Sequence, residues 1–414
     1  MAVTDPRSSS PPQHRLSAWQ VVWWFGFVSL AADMVYEGAR SMYGPILAAL
    51  GASGVVVGLV TGAGEAVALV LRLVFGPVAD RTGRYWSLTI TGYALTAICV
   101  PLLWFAPRLG AAGLAFAIVM ILLERLGKAV RSPSKSALLA HAAGAVGRGR
   151  GFGLHKALDQ IGAFAGPLVV AAVVAGASVW AGMAVLAVPG AIAMALLVLL
   201  AVRVPDPSVY DESAAPESAD PPRAWFADAV GADLPPVFFR YAFACALTTG
   251  ALVTFGIIGY HLTVDNLVPV AAVPVVYAGA MAVEAVAALL VGAVYDRVGA
   301  KVLFVVPVLV AVVPALALGG TFGLVLVGVA VWGFAHGVQD STIKAAVADL
   351  VPAHRRATAY GVFAGIQGAL AIGGGAGAGW LYDRSLPALV IAVVISQLVA
   401  LLLLATTLSR RTAA

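Results

Sequence analysis

A polar stretch of nine residues, Gly76-Pro77-Val78-Ala79-Asp80-Arg81-Thr82-Gly83-Arg84, stands between two long apolar runs. It returns some 216 residues later (76 to 292) as Gly292-Ala293-Val294-Tyr295-Asp296-Arg297-Val298-Gly299-Ala300-Lys301, again between apolar runs. Each flanking run is close to the ~20 apolar residues that carry a helix across a bilayer. The glycines permit a sharp reversal between two such helices. A polar turn that recurs once per half predicts a duplicated, all-α membrane protein.

Composition agrees. Of the 414 residues 61% are hydrophobic and 11% charged, and mean hydropathy is +0.96. Soluble domains carry about 25% charged residues, so most of this surface must face lipid. The basic residues Arg81, Arg84, Arg148, Arg150, Arg297, Lys301, Arg355 and Arg356 fall in alternate loops, with Arg410 and Arg411 at the end. The other loops hold little beyond Arg108 and Arg384. The positive-inside rule then predicts a multi-pass protein of the cytoplasmic (plasma) membrane with both termini cytoplasmic. Arginines spread along the chain as loop anchors give no support to nucleic-acid binding. Cys99 and Cys245 lie inside apolar runs and read as buried thiols, not a disulfide framework.

Counting about 20 apolar residues per span places helices near 18–48, 54–76, 86–107, 111–140, 152–178 and 180–202. A second set falls near 236–262, 268–292, 302–319, 322–349, 358–381 and 386–408. The expected organisation is a disordered tail (1–17), a six-helix bundle (18–203), a cytoplasmic linker (204–235), a second six-helix bundle (236–408) and a cytoplasmic tail (409–414). The linker is acidic and Pro-rich, with Asp206, Asp211, Glu212, Glu217 and Asp220, and reads as flexible. The duplication extends to Lys135-Ser136-Ala137 against Lys344-Ala345-Ala346, and to Arg148-Gly149-Arg150 against Arg355-Arg356-Ala357. Spans 3, 6, 9 and 12 contain no Asp, Glu, Lys, Arg or His. An ionisable group facing lipid costs about 3 kcal/mol, so every third helix is expected at the periphery and the others around a polar interior.

These features together resemble the major facilitator superfamily over the whole chain. Gly76, Asp80, Arg81, Gly83 and Arg84 fit the family's loop 2–3 signature, and Gly292, Asp296, Arg297, Gly299 and Lys301 fit its loop 8–9 counterpart. The resemblance implies a twelve-helix, six-plus-six transporter working by alternating access. It also implies a cytoplasmic gate of Gly76, Asp80, Arg81, Gly83, Arg84, Asp296 and Arg297 that holds the outward-facing state closed, with Asp80 meeting Arg125 or the N-terminus of helix 11. Arg125-Leu126-Gly127-Lys128-Ala129 resembles the helix-4 motif of proton-coupled members, with Ala129 in place of Gly. Gly162-Ala163-Phe164-Ala165-Gly166-Pro167 resembles the antiporter motif of drug:proton exporters through Gly162, Gly166 and Pro167. It lacks the glycine pair that follows the proline there.

The polar residues within the spans are the candidates for coupling and cargo. Asp33, Glu37 and Arg40 share one face of helix 1 at spacings of four and three, Arg40 being expected at the outer rim. Glu124, Lys128, Arg131 and Lys135 form a stripe on helix 4, with Arg125 beside it. Snorkelling to the cytoplasmic surface is the preferred reading for Lys135, and for Arg131 it stands beside a working place in the polar stripe. Glu65 in helix 2 reads as a second proton site or, equally, as part of a buried pair that holds the helices in register. His155 and Asp159 in helix 5 read as a cytoplasmic gate network or a proton relay. His336, Asp340 and Lys344 align on helix 10, and Glu284 stands in helix 8. A proton-coupling and substrate cavity is thus expected from Asp33, Glu37, Glu65, Glu124, Arg125, Lys128, Asp159 and Asp340.

No Gly-Lys-Ser/Thr nucleotide loop is present, and neither a cofactor nor a metal is expected. The reading is a monomeric secondary transporter, not an enzyme, whose partners are a small-molecule substrate, protons and membrane lipid. Proton-driven efflux of a drug or metabolite is the leading expectation. Proton-coupled uptake of an organic acid, or a non-transporting membrane sensor on the same fold, are the alternatives.

Overall fold

The structure is a computed structural model of the chain, describing residues 16–210, 234–351 and 356–408. The expected tails and most of the expected linker lie outside them, as do, beyond their backbone, Gly292, Asp296 and Asp340.

Twelve helical crossings form in two sets of six. The first six are α1 (Ala18–Arg40), α2 (Gly54–Val70, continued by Arg72–Thr82), α3 (Tyr85–Leu102), α4 (Gly113–Val146), α5 (Arg148–Gly176) and α6 (Val179–Ala184, then Ala187–Arg203). The second six are α7 (Pro236–Ala251, then Phe255–Val264), α8 (Val273–Val298), α9 (Val305–Ala317), α10 (Phe322–Leu350), α11 (Arg356–Tyr382) and α12 (Leu386–Leu408). Among the described residues ten helical stretches are long and apolar enough to cross a membrane; one of them, Tyr85–Val146, makes two crossings, and Lys301–Ala317 is a shorter apolar helix. The first and last helices start and end on one face, called here the terminal face.

Three boundaries differ from the sequence expectation. The Gly76–Arg84 stretch is not a loop: α2 runs through it to Thr82, and only Gly83, at φ 64°, turns the chain. The second copy repeats the device, since α8 runs to Val298 and Gly299 sits at φ 65°. A side chain at such a φ is strained, so glycine sets where both helices stop. The first helix of each half is broken where a continuous span was expected. The α1 helix stops at Arg40 and a short helix follows at Tyr43–Ala49. The α7 helix is interrupted at Leu252–Thr254, with Leu252 at ψ 104° and Thr254 extended. Irregular backbone at membrane depth is tolerated where protein buries it or a cavity wets it. Here Trp332 Nε1 donates to the Val253 carbonyl at 2.7 Å, which satisfies one freed acceptor and ties α10 to the break.

The charge-free helices lie outside, as charge placement requires. The large exposed apolar side chains include Ile98 on α3, Val188 and Ile192 on α6, Val308 on α9, and Ile391, Ile395 and Leu402 on α12.

The two halves press together on the face opposite the terminal one. A Cβ on Gly58 would lie 2.1 Å from the Gly375 carbonyl oxygen, one on Gly62 2.5 Å from Ala371 O, and one on Gly379 2.1 Å from Gly54 O. Small residues thus let α2 and α11 touch backbone to backbone. Towards the terminal face the contacts open, and a Cβ on Gly153 or Gly365 would meet nothing within 4 Å.

Within the first half, Gly162 and Gly166 seat α5 on α1, where a Cβ would fall 2.2 Å from the carbonyl oxygens of Leu30 and Met34 respectively. Gly166→Leu is therefore expected to cost about 3 kcal/mol by overpacking and to lower the thermal midpoint in detergent. Gly153→Ala, in open space, should leave the midpoint level or raise it. Equal midpoints for the two variants would show that this helix contact carries no stability.

Candidate transport cavity

Between the halves lies a cavity of about 250 Å³, reaching from the middle of the bundle towards the terminal face. Its described lining comes from α1, α2, α4, α5, α7, α8, α10 and α11, and includes none from α3, α6, α9 or α12. Asp33, Tyr36, Glu37 and Arg40 present one face of α1 to it, as the four- and three-residue spacing requires.

The first-half wall is a network of ion pairs. Arg40 Nη2 donates to Glu65 Oε1 at 2.9 Å, and its Nη1 lies 3.6 Å from Glu37 Oε2. Arg40 is thus inside the cavity and not at the outer rim, because α1 ends one turn before its short continuation and leaves the guanidinium level with Glu65. Glu65 also faces Arg125 at 3.6 Å. Tyr277 of α8 donates its hydroxyl to Glu37, a hydrogen bond that crosses between the halves. Thr61 of α2 and Thr254 at the α7 break make a second crossing at 2.7 Å between hydroxyls.

Glu124 and Arg125 lie behind this wall and are not among the described lining. Glu124 is fully buried, accepts from the Tyr43 hydroxyl at 3.1 Å and lies 3.5 Å from Arg125 Nε. Arg125 also donates to the Tyr36 hydroxyl. Neither Arg131 nor Lys135 snorkels. Arg131 is buried, donates to Thr96 Oγ1 of α3 at 2.6 Å and stacks over Tyr93 at 4.7 Å. Lys135 Nζ reaches inward to Ser29 Oγ at 3.4 Å. Both find acceptors inside the protein, which removes the reason to snorkel.

Asp33 and Asp159 come together from α1 and α5. Their carboxyl groups are within hydrogen-bonding reach of each other. Ser29 Oγ donates to Asp159 Oδ1 at 2.7 Å, and Lys156 Nζ to Oδ2 at 3.2 Å. A hydrogen bond between two carboxyl groups needs a proton on one of them. The backbone contact of α5 at Gly162 with Leu30, one turn from Asp33, sets the spacing of this pair.

The second-half wall is mostly apolar and amide. Glu284 lies 3.3 Å from His336. The Thr249 hydroxyl proton has two acceptors in reach, Cys245 O at 3.0 Å and Gln339 Oε1 at 3.2 Å, and the hydroxyl receives the Gln367 amide at 3.0 Å. Behind them Phe255, Tyr277 and Trp332 pack edge to face, with centroids 4.5 Å apart for Phe255–Tyr277 and 5.8 Å for Phe255–Trp332. A search for charged residues passes over Thr249, Gln339 and Gln367. Uncharged amides inside otherwise apolar spans were the available signal, since an amide also needs a partner away from water.

The expected gate residues sit on the terminal face. Asp80, Arg81, Arg84 and Arg297 are exposed, and Asp80 accepts from the Tyr85 hydroxyl at 3.0 Å. Arg125 is not its partner: that guanidinium is buried deep among Tyr36, Glu65 and Glu124. On the opposite face the Asp383 carboxylate, just past α11, accepts from the Gly54 and Val55 amides at 2.9 and 3.0 Å, capping the N-terminus of α2 from the other half.

A cavity lined by charged groups from both halves of a twelve-helix bundle, closed on one face and approached from the other, defines a transporter architecture. The chain belongs to the major facilitator superfamily: the Major Facilitator Superfamily model matches residues 25–363 and 238–414. It is accordingly a multi-pass membrane transporter and not an enzyme. Uncharacterized proteins of Mycobacterium tuberculosis and Mycobacterium bovis are 49% identical to it over 392 residues, covering 94% of this chain and 93% of theirs. An uncharacterized MFS-type transporter of Methanocaldococcus jannaschii is 27% identical over 146 residues, 35% of each chain. Among solved structures, a point mutant of the nucleoside transporter NupG superposes with a TM-score of 0.75 at 16% identity, over 94% of this chain and 99% of that one. A bacterial homolog of the human lysosomal transporter Spinster, inward-facing and occupied, gives 0.65 at 14% identity over 96% of each chain. A POT family transporter in complex with 5-aminolevulinic acid gives 0.69 at 13% identity, over 94% and 95%. At these identities the structures speak for the fold alone.

Proposed function

We propose that this protein is a proton-coupled secondary active transporter of a small organic compound, working by alternating access in the cytoplasmic membrane. The observation that carries the reading is the Asp33–Asp159 pair, a protonatable site between two helices at the edge of the cavity. If the terminal face is cytoplasmic, as the arginine-bearing loops suggest, the structure is an inward-facing state. Arg81, Arg84 and Arg297 then lie where lipid phosphate is available to them.

Efflux by exchange has the likeness of Gly162, Gly166 and Pro167 to the antiporter motif in its favour. Uptake of an organic acid together with protons is favoured by a different observation, the cationic groups Arg40, Arg72, Lys128 and Lys156 in the cavity lining. A proton on the carboxyl pair and an anion near these cations would assist each other, whereas a cationic cargo would compete with the proton.

Proteoliposomes holding a pH dye, with membrane potential clamped, separate these readings. Inward movement of cargo should alkalinise the lumen under exchange and acidify it under co-transport, whichever way the protein inserts. A metabolite and drug library that changes lumenal pH for no compound would sink proton coupling.

A further inference from the structure

Every described carboxylate that lines the cavity is already engaged. Glu37 is held by Tyr277 and Arg40, Glu65 by Arg40 and Arg125, Glu284 lies against His336, and Asp33 and Asp159 hold each other, Asp159 with Ser29 and Lys156 as well. Two donors, one from each half, stand out among the remaining lining groups. Lys128 Nζ lies 3.6 Å above the Tyr36 ring and has no ion pair or hydrogen bond among the described residues. Gln339 accepts from Thr249 through its carbonyl and leaves its amide nitrogen, buried, without an acceptor among the described residues. Polar groups inside a protein are normally satisfied, so a buried cation that no described carboxylate meets at ion-pair distance, with an amide donor across the cavity from it, describes the complement that is missing.

We infer that the cargo is a small organic anion, its negative group set on Lys128 and a second acceptor on its body taken by Gln339. A cation would have to displace an existing ion pair, leaving a buried charge unmatched. The body of such an anion has the lining residues Tyr36, Trp332 and Phe363 for its flat or apolar part. A cavity of about 250 Å³ is small beside the usual ligand pocket of roughly 300–1,000 Å³, which favours a single-ring or similarly compact acid. Because Lys128 and Gln339 belong to opposite halves, one such anion ties the halves together in a way that neither group achieves alone. The inference rests on the transport reading and, within it, selects co-transport with protons.

The test uses three probes of one shape and different charge: benzoate, benzamide and benzylammonium, titrated calorimetrically into the purified full-length protein. Benzoate should bind at least tenfold tighter than benzylammonium, with proton uptake from weak buffer. Lys128→Met should weaken benzoate at least tenfold while Lys128→Arg restores it, and Gln339→Leu should weaken 4-hydroxybenzoate, which carries a second acceptor, more than it weakens benzoate. Thermal unfolding of each variant confirms that it is folded. Tighter binding of benzylammonium, or equal benzoate affinity in Lys128→Met, overturns the inference. So does failure of benzoate, phenylacetate and phenyl phosphate alike at millimolar concentration. A cation that binds and changes lumenal pH in proteoliposomes would reject the anionic cargo and leave proton-coupled transport standing.

Discussion

Gly58→Leu is expected to hold the protein open on the face opposite the termini. The Cβ alone would lie 2.1 Å from the Gly375 carbonyl oxygen, so α2 and α11 cannot regain their backbone contact without moving apart. A bundle that works by alternating access has an arrangement in which they are apart, and the variant should fold into it. Spin labels at Leu109 and Phe322, both exposed and in opposite halves, should report a longer distance in a cysteine-free background. Labels at Arg84 and Arg297 on the terminal face should move closer. Asp383→Ala probes the same seal without adding bulk. It removes two hydrogen bonds to the α2 N-terminus, worth about 1.5 kcal/mol as a cap, a roughly tenfold shift in population. Asp383→Asn keeps an acceptor and should shift far less. Unchanged distances in both Gly58→Leu and Asp383→Ala would mean that this contact is static scaffold.

Asp33→Asn and Asp159→Asn are expected to uncouple transport from the proton gradient. One proton moved across a gradient of one pH unit supplies about 1.4 kcal/mol, enough for about tenfold accumulation. Either variant should lose that accumulation while keeping counterflow between equal pH values. A readout without cargo is available. If the pair shares one proton, the parent protein should show the infrared C=O band of a protonated carboxyl, and that band should vanish in either single variant, where the partner aspartate no longer has a second carboxyl to share it with. Wild-type accumulation in the Asp33→Asn, Asp159→Asn double variant would remove the pair from the mechanism. Glu124→Gln is the informative contrast. Glu124 is buried behind the wall against Tyr43 and Arg125, so a coupling loss there with Asp33 and Asp159 intact would move the proton site to the helix-4 cluster.

The sequence by itself determined the fold class, the twelve crossings, the duplication and the peripheral place of the charge-free helices. Those follow from transfer free energy, which depends on which residues a span contains and not on what it touches. It also placed Asp33, Glu37 and Arg40 on one face, because helical periodicity is local. The partners follow from packing alone. Arg40 and Glu65 meet across helices, Asp159 of α5 joins Asp33 of α1, Arg131 and Lys135 turn inward, and Asp80 meets Tyr85 and not Arg125. Each outcome depends on interhelical distances that glycines at Gly58, Gly162 and Gly166 set by letting backbones touch, and a glycine in a linear sequence does not say which backbone will approach it. The breaks at Ser41 and Val253 were equally hidden. Their residues are apolar enough to continue a span, and what makes the break tolerable is a neighbour, the Trp332 indole for Val253, supplied by another helix some 79 residues away (253 to 332).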